Sequence, residues 1–205
     1  GQNNILAQST LPWSTQQQIP GYVDNNASSP ILIADQNRTV HAFTSQWLGG
    51  DEEEPVRAIL YNQWTQAAGW TIPIDILLSP LKNDARIQDV FLDDQGVIHL
   101  VFFGGDGTEA NIYYSQAPAV RAGQAHAWSK PLPVGEAANS PDAAAIGGDA
   151  KGNLAIVYSG KNAGWGLYTI YSSDGGKTWT KPEPTFLTYG EYFPFTLKLS
   201  PGQNG

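Results

Sequence analysis

Ser172-Ser173-Asp174-Gly175-Gly176-Lys177-Thr178-Trp179 has the spacing S-x-D-x-G-x-T-W, five defined positions in eight residues. Each defined position has a mechanical task. An aspartate at Asp174 can accept hydrogen bonds from the N–H groups of its own turn, and Gly176 can supply a backbone conformation with φ > 0. A large indole at Trp179 can pack over the following strand. The stretch reads as a folded turn between two β-strands, with Ser172, Asp174, Gly176, Thr178 and Trp179 as structural residues.

Working outward, the chain repeats one grammar: an apolar strand, a D-x-x-G-like turn, a β-branched and aromatic strand, a polar loop, an I-x-Y-type strand, then W-[ST]-x-P. The turn and second strand appear as 35–43 (Asp-Gln-Asn-Arg-Thr-Val-His-Ala-Phe), 93–101 (Asp-Asp-Gln-Gly-Val-Ile-His-Leu-Val) and 149–157 (Asp-Ala-Lys-Gly-Asn-Leu-Ala-Ile-Val). Their first aspartates are 58 and 56 residues apart. The third strand recurs at Tyr61, Tyr113-Tyr114 and Tyr171, and the closing marker at Trp70, Trp128 and Trp179. Four strands per unit at this period predicts β-propeller blades. The expected fold is therefore all-β, with four-stranded antiparallel blades at about 30–75, 86–133 and 140–184. Partial blades are expected at 1–20 and 191–205, within a single domain or fragment spanning 1–205. Either the ring closes imperfectly between these ends, or the chain is an arc of a larger propeller completed by further sequence or by self-association.

On these residues the chain resembles the Asp-box, or BNR, repeat of sialidase-like β-propellers. The intact box is that of the third unit; in the first two the corresponding loop is eroded or enlarged. In that family the box lies between the third and fourth strands, on the face opposite the site. The resemblance thus implies a site where the inter-blade connections and second-to-third strand loops converge. Those segments carry Tyr22, Trp47, Asp51, Arg86, Asp106, Asn162, Trp165 and Tyr192, which are the candidate ligand-binding residues. Exposed aromatics beside amides and carboxylates suit sugars, because ring faces stack on C–H surfaces while polar groups bond hydroxyls.

The resemblance would also imply three arginines gripping a carboxylate, a Tyr nucleophile assisted by a Glu, and an Asp acid/base. Arg86-Ile87-Gln88 matches the start of the family's R-I-P signature without its proline. Arg38 and Arg121 fall in turns on the other face, and Arg57 begins an outer strand, away from the axis. Glu191-Tyr192 has the right residue types, but neighbours on a strand point to opposite faces. Arg86, Glu191 and Tyr192 are the catalytic candidates.

The remaining composition narrows the class. A net charge of −8 with 11 scattered basic residues disfavours nucleic acid and acidic membrane surfaces. The chain holds no cysteine, and no apolar run reaches the roughly 18 residues of a membrane span. His41 and His99 occupy the same place in successive units and read as a repeated strand feature. No metal-ligand spacing or cofactor motif is expected. The function expected is a secreted or cell-surface carbohydrate-recognition or interaction module, leaning away from an enzyme. The alternatives are part of the catalytic propeller of an exo-sialidase or related glycoside hydrolase, and a structural repeat domain that self-assembles.

Overall fold

Runs such as Val97-Ile98-His99-Leu100-Val101-Phe102-Phe103 combine β-branched and aromatic residues without a turn-former, which favours a strand buried on both faces. The computed structural model describes residues 18–22, 27–50, 56–106, 108–138, 144–188 and 197–199, and in it these runs form three antiparallel sheets. The first holds β1 (Ile31–Ala34), β2 (Val40–Gly49), β3 (Val56–Thr65), β4 (Gly69–Trp70) and β5 (Ile74–Leu78). Both β4 and β5 pair with β3, so they are two pieces of one outer strand, interrupted at Thr71-Ile72-Pro73, where a proline cannot donate to the ladder. The second sheet runs β6 (Ala85–Leu92), β7 (Val97–Gly105), β8 (Ala110–Pro118) and β9 (Leu132–Glu136). The third runs β10 (Ala144–Gly148), β11 (Leu154–Gly160), β12 (Gly166–Ser172) and β13 (Glu183–Leu187). These are β-propeller blades, as the repeat predicts. The expected partial end blades lie outside the described residues except for 18–20 and 197–199.

The core sits in the seams between blades. Ile98, Leu100 and Phe102 of β7 pack with Phe43, Ile59 and Tyr61 of the first blade. Val101 and Phe103, one residue out of phase, pack with Ile146, Ile156 and Tyr158 of the third. The two-residue period of a strand thus serves both seams from one segment.

At one end of the sheets, each first-to-second strand turn is built by its aspartate. One oxygen of Asp35 accepts the N–H groups of Asn37 and Thr39, that of Asp93 those of Gln95 and Val97, and that of Asp149 those of Lys151 and Asn153. In the first two blades the second oxygen meets a buried histidine, at 3.5 Å for Asp35 to His41 and 3.1 Å for Asp93 to His99. The other ring nitrogen, Nδ1, lies 2.7 Å from the hydroxyl of Tyr61 or Tyr114, and each hydroxyl donates to Gln63 or Gln116 at 2.9 Å. Burial pushes both imidazoles below their ordinary pKa, partly offset by the aspartates, and pushes both phenols well up.

The opening motif also lies at this end. Ser172 donates to Asp174 and accepts from the Gly176 N–H, while Asp174 accepts both the N–H and the hydroxyl of Thr178. These bonds, led by the Thr178 hydroxyl, hold the Asp174 carboxyl down to about 2. Trp179, expected over the following strand, reaches across the seam: it meets Tyr114 of the preceding blade edge-on at 5.0 Å. Gly176, at φ 85°, lies so close that a Cβ there would sit 2.0 Å from the Tyr114 oxygen. The eroded loop of the second blade repeats the arrangement one seam earlier. There Gly123 faces Tyr61, and Trp128 meets Phe43 edge-on at 6.0 Å.

The two buried histidines make stability depend on pH. Burial lowers each pKa in the fold from the ordinary value near 6.5, so between the two values the unfolded chain binds more protons than the folded one. We expect stability to be level above about 6.5 and to fall below it, by up to about 1.4 kcal/mol per pH unit for each histidine. Urea titrations across pH 5 to 7.5 on the natural chain and on the His41→Gln, His99→Gln double variant test this: the variant's slope is shallower.

Candidate functional site

The opposite end of the blades carries the second-to-third strand loops and the inter-blade connections, and backbone bonds tie the two classes together. Arg57 donates its N–H to Asn83, Gly105 to Asp84, and Lys161 to Glu136. The face is therefore a belt of interlocked loops.

Its centre is Asp84, in the connection from β5 to β6, with a side chain only 2% exposed. One oxygen accepts from Arg57 Nη1 at 2.7 Å; the other accepts from Arg86 Nη2 at 2.9 Å and Nε at 3.2 Å. Two guanidinium groups from adjacent blades are thus fixed by one buried carboxylate, and both remain partly open to solvent, 22% for Arg57 and 39% for Arg86. The connection reaches this position through two left-handed residues, Lys82 at φ 58° and Asn83 at φ 50°. Non-glycine residues hold such angles at a cost that surrounding contacts must offset, and such sites concentrate at functional loops.

Trp47 stands directly across the strand pair from Arg57 and is 37% exposed, its indole N–H turned back onto the Gly49 carbonyl. On the other side, Lys82 lies 3.8 Å from Asp106. Asp106 is pinned by the Thr108 hydroxyl, then by the N–H groups of Glu109 and Thr108, which hold its carboxyl far below the usual range. Beyond it a small cavity of about 190 Å³ lies between Thr108, Asn111, Glu136 and Lys161. Lys161 reaches Glu136 at 3.9 Å and stands over the Trp165 ring at 6.0 Å. Exposed Asn162 accepts the Tyr158 hydroxyl at 2.7 Å.

Of the sequence candidates, Trp47, Arg86, Asp106, Asn162 and Trp165 all lie along this belt. Tyr22 is placed elsewhere: its hydroxyl bonds Asn62, buried on β3, and burial raises its pKa. Asp51, Glu191 and Tyr192 lie outside the described residues. The sequence reading kept Arg57 apart because it begins an outer strand. The structure brings its side chain to Asp84, because the connection crosses beside the start of β3 in a parallel bridge. Asp84 is not among the sequence candidates, although its place two residues before Arg86 on an extended segment puts both on one side.

No protein-family model matches the chain, and no curated protein matches it. Solved structures do. A protein of unknown function from Dyadobacter fermentans superposes with a TM-score of 0.55 at 16% identity, over 78% of this chain and 51% of that one. A glycosyl hydrolase from Bacteroides ovatus gives 0.51 at 11%, over 78% and 49%. An α-L-arabinofuranosidase from Podospora anserina, solved with cellotriose, gives 0.51 at 15%, over 83% and 55%. At such identities the likeness concerns the fold. The chain spans about half the length of the structures it matches.

The Asp84 cluster has a direct mechanical test. Asp84→Asn removes the charge that two guanidinium groups share, leaving them facing each other with one neutral acceptor. We expect a loss of about 2 kcal/mol, measured by urea unfolding, that shrinks in high salt as the arginines' repulsion is screened.

Proposed function

We propose that this chain is a carbohydrate-recognising β-propeller module acting outside the cytoplasm, with the Trp47–Arg57–Asp84–Arg86 belt as its ligand face. The observation that carries this reading is the convergence of two guanidinium groups on one buried carboxylate beside a half-exposed indole. Asp84 pre-orients both forks, so ligand oxygens meet donors that need little further ordering. The Trp47 face supplies an apolar surface for the C–H side of a sugar ring. Asp106 is kept ionised as an acceptor for hydroxyls, and Trp165 with Asn162 extends the belt towards the third blade. By their places in the sequence, Asp51 and Tyr192 belong to the same two classes of connection and are proposed to contribute.

Support also comes from outside the chain, since two of the structures named above bear names of glycan-cleaving proteins. The S-x-D-x-G-x-T-W turn supports placing the chain among the Asp-box propellers of the sialidase-like superfamily. The same neighbours favour one second reading, a share in the catalytic propeller of a glycoside hydrolase, and the motif alone suggests an exo-sialidase, with Arg86, Glu191 and Tyr192 as its candidates.

A glycan array followed by calorimetric titration of the best ligand separates these readings. We expect binding that falls about tenfold or more in Trp47→Ala and in Arg86→Ala, a loss of about 1.4 kcal/mol or more. Arg121→Ala, exposed at the other end of the blades, leaves it unchanged. An array without signal sinks the recognition reading, and turnover of a fluorogenic sialoside or arabinofuranoside that Arg86→Ala abolishes selects the second.

A further inference from the structure

The third blade departs from the second at four matching positions. In the second blade Phe91 pairs with His99 across β6 and β7, His99 pairs with Gln116, and Tyr114 stands two residues before that glutamine. The same places in the third blade hold Gly147, Ala155, Tyr171 and Thr169. Phenylalanine, histidine and tyrosine have become glycine, alanine and threonine, and the glutamine has become a tyrosine that is 52% exposed. Where the second blade is filled by an aspartate–histidine–tyrosine chain, the third has a cavity of about 520 Å³. That is within the size range of small-molecule sites, at roughly 300–1,000 Å³.

Its polar groups are placed rather than scattered. Asp89, half-buried on β6, accepts the N–H of Val90 at 2.9 Å on one oxygen and that of Ile146 at 3.0 Å on the other. Burial lifts its pKa, offset by those two N–H groups and by Lys198. Asp149 keeps the turn role of Asp93, but the oxygen that would meet a histidine meets the Asn153 amide at 2.7 Å. Both Asp89 oxygens and the second Asp149 oxygen, each accepting one bond, retain a further lone pair for a hydroxyl. Phe91, Ile146, Leu154 and Leu199 form apolar walls, and the Tyr171 ring lines one side.

We propose that this cavity is a second binding site, for an uncharged, monosaccharide-sized cyclic polyol. Two carboxylates oppose an anion, and their oxygens with a free lone pair accept from the hydroxyl donors of a neutral ring between apolar walls. A ring with hydroxyl donors on one edge and C–H groups on its face satisfies Asp89 and Asp149 while stacking on Tyr171. The site lies at the end of the blades opposite the Trp47–Arg86 belt, and it stands whether or not that belt binds glycan.

The test is an NMR titration of the chain with methyl β-D-glucopyranoside, methyl α-D-mannopyranoside and methyl β-D-xylopyranoside. At least one should shift the amides of Gly147, Gly148 and Asn153. Ala155→His restores the side chain that fills this space in the other two blades, and Tyr171→Ala removes the stacking ring; each should weaken binding about tenfold. Trp47→Ala should leave these shifts intact, which separates this site from the belt. Absence of shifts with all three pyranosides overturns the proposal. So does Ala155→His binding as tightly as the natural chain with an unchanged thermal midpoint. Should Ala155→His fail to fold, Tyr171→Ala decides alone, since its exposed position leaves the core untouched.

Discussion

A buried histidine held between a turn carboxylate and a tyrosine hydroxyl fixes the flank of the first two blades, and the next blade's loop is shaped to that tyrosine. His41 and His99 are each satisfied on Nδ1 by a tyrosine 2.7 Å away, and each tyrosine passes the bond on to a glutamine. The network closes fully in the second blade, where Asp93 reaches His99 Nε2 at 3.1 Å, whereas in the first Asp35 stands 3.5 Å off and leaves His41 Nε2 without a hydrogen bond among the described residues. Gly123 and Gly176 then come up against Tyr61 and Tyr114, the closer approach leaving no room for a Cβ. This fit at one end of the blades leaves the loops at the other end free to carry chemistry. At that end the seam is pinned by lighter means, such as the Ser45 hydroxyl accepting the Ile87 N–H at 2.6 Å.

Much of this was legible in the sequence because it is local. The Asp35, Asp93 and Asp149 turns span five residues each, and a carboxylate that bonds its own turn leaves a fixed spacing. The repeat of Tyr and Trp at one period disclosed the blades, and the paired histidines were recognisable as a shared strand feature. What escaped was contact across a seam. Arg57 and Asp84 are 27 residues apart and belong to segments that read separately as a strand start and a loop. Only the parallel bridge between them brings the two arginines to one carboxylate. Trp179 reads as cover for the following strand because nothing in its motif says that a tyrosine 65 residues earlier receives it. Tyr22 read as a loop aromatic, yet its bond to Asn62 makes it part of the first blade's flank.

The erosion of the third blade follows the same logic. With Ala155, Thr169 and Tyr171 in place of histidine, tyrosine and glutamine, the polar chain is absent while the turn and strands persist, because backbone pairing and the aspartate turn suffice to hold the sheet. The fold therefore separates three tasks. Seams give rigidity, the belt around Asp84 gives fixed donors beside an indole, and the unfilled flank of the third blade gives space.

If the belt meets glycan as proposed, the chain's own tryptophans report it. Indole N–H resonances of Trp47 and Trp165 should shift during titration with a glycan that the chain binds, while those of Trp128 and Trp179, set against Phe43 and Tyr114, stay in place. Shifts confined to Trp128 and Trp179 would contradict the account.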